Sequence, residues 1–170
     1  MSRSRFTLLT DEHDVSGFDC GSEQLNAWLI RHALASHRAD IARTFVLLDG
    51  KTVAGYVSLT TGSAQHDELP RRFARGMPRH RIPTILVARL AVDRRFQDRK
   101  LGTRLLAEAL RRAVAASDAA AARVVVVDAI DDHAAGFYRE RGFITSPEDP
   151  LRLFRKISDI RRTIESAANR

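Results

Sequence analysis

Among 170 residues Cys20 is the only cysteine, so no intramolecular disulfide can form, and the usage suits a reducing compartment and a structural thiol. Lysine is nearly as scarce, at Lys51, Lys100 and Lys156. No run of about 18 apolar residues occurs, which argues against a membrane-spanning helix. Met1–Thr10 carries basic residues but neither an apolar core nor a small-residue cleavage site, so a cytoplasmic protein is expected. The six histidines make no metal-binding pattern: His32 and His37 are five apart, and HExxH and Cys-His arrays are both missing. Asp11, Glu12, His13 and Asp14 read as a surface turn. The GxSxG elbow of a serine hydrolase is missing too.

What the chain does have is basic charge, with 28 Lys and Arg against 21 Asp and Glu, a formal net charge of +7. That balance favours a polyanionic partner, nucleic acid first. Hydrophobic residues at 44% suffice for one sizeable core. The reading is a single domain over residues 1–157 and a helical tail over 158–170, where Ile157, Ile160 and Ile164 fall at helical spacing.

Phe6–Thr10 reads as a first strand. Ser22 then caps a helix from Glu23 to His37, with Leu25, Trp28, Leu29 and Ala33 on one face and Arg31 and Arg38 outside it. Thr44–Leu48 and Val53–Thr61 form a hairpin through Asp49-Gly50. From Ser63 to Pro83 the periodicity vanishes, and Arg71, Arg72, Arg75, Arg79 and Arg81 collect in a structureless loop that either binds phosphate or is solvated. Arg123–Ile130 is a buried strand, Asp131–Arg141 a helix and Leu151–Phe154 a last strand.

The chain is organised around Thr84–Val114. An apolar, β-branched strand, Thr84–Val92, is interrupted by Arg89, and from Leu101 a helix presents Leu105, Ala109 and Val114 on one face. Between them lie Gln97, Asp98, Arg99, Lys100, Leu101 and Gly102, where backbone N–H groups at a helix start suit an anion such as phosphate. Arg89, beside the central strand, either meets a substrate or pairs with a nearby aspartate.

The Gln97-to-Gly102 spacing resembles motif A of the GCN5-related N-acetyltransferases (GNATs), with Lys100 standing where that family places its first glycine. Asp131-Asp132-His133-Ala134 and Tyr138 with Gly142-Phe143 resemble the family's late helix, Asp131 replacing an asparagine. Phe18-Asp19-Cys20-Gly21, Leu25–Leu29, Arg43-Thr44-Phe45, Gly55-Tyr56 and Ala88–Val92 together look like the acetyltransferase toxins of type II toxin–antitoxin systems. The resemblance implies an α/β (α+β) GNAT fold with a mixed sheet of about six to seven strands flanked by about four helices. It also implies acetyl-CoA as cofactor, held by Leu90, Ala91, Val92, Gln97 through Thr103, Asp131 and Ala134. Tyr138 becomes the general acid to sulfur. The substrate implied is the α-amino group of aminoacyl-tRNA, met by Arg31, Arg38, Arg71, Arg72, Arg75, Arg79, Arg81 and Arg89. The implied partners are a ribbon-helix-helix antitoxin and a second copy in a homodimer.

The residues suit such an amine. An α-amine titrates near about 8 and needs less help from a base than a lysine near about 10.4. Thr84–Val92 holds no carboxylate, and Asp128 and Glu68 are the candidate bases. Two alternatives stay open: a GNAT acting on a small or protein amine, and a GNAT-fold binding module that has lost its coenzyme, which Lys100 motivates.

Overall fold

The computed structural model describes residues 4–170, so the first three residues of the segment read for a targeting signal lie outside it. Seven strands form one mixed sheet in the order β1-β2-β3-β4-β5-β7-β6. The chain divides into two compact units, one holding the residues up to Thr60 with Ala88–Ala109, the other Thr61–Val87 with Leu110–Arg170.

In the first unit β1 (Arg5–Leu8) pairs antiparallel with β2 (Arg43–Asp49), which pairs antiparallel with β3 (Thr52–Ala64). The hairpin sits where Asp49-Gly50 placed it. Gly50 takes φ +63, the left-handed conformation that lets a two-residue loop follow the strand twist. Ser22 caps α1 (Glu23–Arg31), its hydroxyl accepting from the Leu25 N–H at 3.4 Å. The expected single helix to His37 is broken at His32, whose φ of −124° is not helical, and resumes as α2 (Ala33–Arg38). The apolar face of these helices packs on Tyr56, Phe18 and Val46. Gly55 is required by packing: a Cβ there would lie 2.7 Å from Leu105 Cδ1 and 3.1 Å from the Ala91 carbonyl oxygen.

In the second unit the Ser63–Pro83 segment is not structureless, contrary to the expectation. β3 runs to Ala64, a 3-10 turn covers His66–Glu68, and α3 spans Arg71–Ala74. Leu69, Phe73 and Ile82 are buried against Val124, Val126 and Phe154 and so anchor it. β4 (Ile82–Val92) pairs in parallel with β5 (Val124–Asp128) over Thr84–Val87. β7 (Arg152–Lys156) lies antiparallel on the other side of β5 and carries β6 (Ile144–Thr145), a strand too short to show in the sequence. α4 (Leu101–Ala119) buries the face predicted for it, from Leu105 to Val114. α5 spans Asp132–Arg139, and α6 (Ile157–Ala168) buries Ile157 and Ile160. Six helices thus stand among the described residues rather than about four, because His32 divides the first and α3 is new. None of the helices is long and apolar enough to cross a membrane.

Candidate active site

β4 outruns its parallel partner. Pairing with β5 ends at Val87, so that among the described residues Ala88–Val92 has no strand on that edge. The Asp93 N–H donates to the Ala54 carbonyl of β3 at 2.8 Å, and the Ala91 carbonyl also faces β3. Because N–H directions alternate along a strand, those of Leu90 and Val92 point away from β3, toward the unpaired edge. Backbone donors on such an edge suit an oxygen that gains negative charge.

The strand end is held by a buried carboxylate that the sequence reading passed over. Asp93, 1% exposed, accepts from the Asp19 N–H at 3.1 Å, the Arg95 backbone N–H at 2.9 Å and the Arg95 side-chain Nε and Nη2, each at 3.0 Å. These hydrogen bonds outweigh burial and keep its carboxyl below the usual carboxylate range. An aspartate closing an apolar strand two residues before an arginine is the signal that could have found it. The exposed Gln97 also braces the strand, its amide donating to the Val92 carbonyl at 3.0 Å and the Cys20 carbonyl at 3.3 Å. The Cys20 thiol, raised in pKa mainly by burial, donates to the Ser22 carbonyl and fits the structural reading.

Asp98 and Lys100 both lie in the left-handed region, φ +64 and +59, on either side of Arg99. Left-handed residues in a turn are a feature of backbone N–H nests that hold anions. The Lys100 carbonyl accepts from the Arg104 N–H at 3.2 Å as α4 begins, so the N–H groups of Leu101 and Gly102 precede the first intrahelical bond, and Thr103 lies in the same turn. Arg99 lies 5.5 Å from the Phe96 ring.

In the second unit, Asp131 caps α5 by accepting from the Ala134 N–H at 2.8 Å. Tyr138 is 8% exposed, edge-on to Phe137 and Phe143. Among the described residues its hydroxyl has no hydrogen-bond partner, and burial pushes its pKa up to about 12. It therefore stays protonated near neutral pH. Both candidate bases are engaged by one residue: Arg152 contacts Asp128 at 3.1 Å and lies 3.7 Å from Glu68, which also accepts from the Gln65 N–H. Neither is a free base.

The arginines divide. Arg31, Arg71, Arg72, Arg75, Arg79 and Arg81 are exposed, Arg81 donating to the Ser63 hydroxyl. Arg38 pairs with Asp11 at 3.2 Å. Arg89 does not take the salt bridge that was one of its two readings. Its guanidinium lies over the Trp28 ring, 4.0 Å from the centroid, a contact that the placement of Trp28 on a core-facing helix stripe did not reveal.

Strand, braced turn and helix start now find their match. The chain matches the acetyltransferase (GNAT) family over residues 5–143. It belongs to the GNAT family. The sequence is 40% identical to the tRNA-acetylating toxin of Mycobacterium tuberculosis (strain ATCC 25618 / H37Rv), over 92% of this chain and 93% of that protein. Among solved structures, AtaT complexed with acetyl-methionyl-tRNAfMet gives a TM-score of 0.88 at 30% identity, covering 95% of this chain and 99% of that one. A mutant AtaT toxin bound to the C-terminus of the antitoxin AtaR and acetyl-CoA gives 0.79 at 30% identity, covering 93% and 96%.

This GNAT is accordingly an acetyltransferase that uses acetyl-CoA. Its Asp98–Gly102 turn fits that donor, because the Lys100 backbone adopts the positive φ for which the family's glycine is suited.

Proposed function

We propose that this chain transfers acetyl from acetyl-CoA to the α-amino group of aminoacyl-tRNA, blocks translation in the cytoplasm, and is neutralised by a cognate antitoxin. The observation that carries the reading is the 40% identity to a tRNA-acetylating toxin across nearly the whole of both chains. The ribbon-helix-helix class of antitoxin and a homodimeric state belong to the same proposal.

Bound acetyl-CoA supplies a thioester whose carbonyl carbon is open to attack by an amine. The backbone of Asp98 through Gly102, with Thr103, is suited to hold its diphosphate, while the Leu90 and Val92 N–H groups are suited to polarise a carbonyl oxygen. Tyr138 keeps a proton at Oη for a departing thiolate. With Asp128 and Glu68 both engaged by Arg152, the chain favours an amine that loses its proton far more readily than a lysine, as an α-amine titrating near about 8 does. The exposed arginines of residues 71–81 suit the RNA phosphates.

Purified protein added to a cell-free translation system should stop synthesis only when acetyl-CoA is present. Inhibition that does not depend on acetyl-CoA would contradict the proposal.

A further inference from the structure

Arg89 differs from the four ion-paired arginines of its unit. Arg38, Arg43, Arg94 and Arg95 each lie within ion-pair distance of an aspartate, namely Asp11, Asp40, Asp19 and Asp93. Arg89, half-buried on β4 beside Leu90, has no carboxylate and no hydrogen-bond acceptor among the described residues. What it has is the face of Trp28.

The indole is itself fixed. Trp28 stacks on Tyr56 with ring centroids 6.0 Å apart and planes 16° apart. Tyr56, fully buried, donates its hydroxyl to the Leu25 carbonyl at 2.8 Å and meets Phe18 edge-on at 5.5 Å. A stack rooted in the core holds the guanidinium by one face. All five guanidinium N–H groups lie in its plane, so a ring on the face leaves the edge free to donate two parallel hydrogen bonds to an anion. A half-buried cation with its face covered and its edge unpaired is arranged for an acidic group from outside the chain.

We infer that Arg89 binds a phosphodiester of the substrate next to its aminoacyl ester, and that Trp28 is the positioning residue that holds the guanidinium for it. This rests on the aminoacyl-tRNA reading and adds which protein group grips the acceptor end. The same edge could in principle accept a coenzyme phosphate, so the test separates the two sources.

The experiment measures KM and kcat for three amines: an aminoacyl-tRNA, an aminoacyl dinucleotide with one phosphodiester, and an aminoacyl-adenosine with none. Arg89→Gln should raise KM about 10- to 100-fold for the first two, as expected for charged hydrogen bonds, with kcat little changed and no effect on the third. Acetyl-CoA affinity, by calorimetry, should be unaltered. Trp28→Leu should shift KM in the same direction, and Trp28→Phe, which restores an aromatic face, should recover most of it. An unchanged KM for the two phosphate-bearing substrates in Arg89→Gln, an equal rise for the phosphate-free amine, or weakened acetyl-CoA binding would overturn the inference. A wild-type protein that acetylates none of the three would remove the substrate reading first and this inference with it. Wild-type activity with an unaffected Arg89→Gln variant would remove only the inference.

Discussion

Tyr138 has a buried ring and, among the described residues, a hydroxyl without a hydrogen-bond partner, which suits the proton-donor role proposed for it. Tyr138→Phe keeps the ring contacts with Phe137 and Phe143 and removes the proton. It should lower kcat by about 10²- to 10⁴-fold while leaving acetyl-CoA affinity nearly unchanged. Desolvation raises its pKa to about 12, so the acid form persists to high pH. The rate should rise as the substrate amine loses its proton near about pH 8 and show no falling limb below about pH 10. Lys100 is the other telling residue. A non-glycine side chain at φ +59 costs about 1–2 kcal/mol, partly offset by the greater entropy glycine loses on folding. Lys100→Gly should raise Tm by about 2 °C, read by thermal melting; a lower Tm would mean that the lysine side chain stabilises the turn. The departure from the motif at Lys100 was legible in the sequence. That its backbone keeps the glycine-like conformation was not, because φ leaves no trace in residue type.

The elements were legible where a local signal coincided with burial. Asp49-Gly50 fixed the β2–β3 hairpin, Ser22 the start of α1, and the apolar stripe from Leu105 to Val114 the buried face of α4. His32 carries no breaker signal, so the division between α1 and α2 stayed hidden. β6 pairs over only two residues, Ile144 with Phe154 and Thr145 with Leu153, below the length at which alternation can be read. The segment from His66 to Arg81 was misread because its density of arginine, proline and glycine masked Leu69, Phe73 and Met77, four residues apart. Those residues anchor it: Leu69 and Phe73 are 2% exposed. Phe73→Ala should therefore cost about 3–5 kcal/mol in denaturant unfolding, whereas a surface loop residue would cost almost nothing. A change below about 0.5 kcal/mol would show that the segment is not part of the core.

For the whole molecule, charge and family point the same way. A net charge of +7, with exposed arginines gathered between β3 and β4, predicts a strongly salt-dependent encounter with a polyanion. The sequence disclosed that charge and the apolar strand Thr84–Val92. It could not disclose that Asp128 and Glu68 converge on Arg152, since residues 68, 128 and 152 meet only through the fold. That convergence supports the choice of a low-pKa amine. The most direct measurement is mass analysis of the aminoacyl group after incubating purified protein with acetyl-CoA and aminoacyl-tRNA at low and high salt. The account predicts one acetyl group on the α-nitrogen, formed much faster at low salt. Acetylation of free amino acids or simple amines as readily as aminoacyl-tRNA would contradict it.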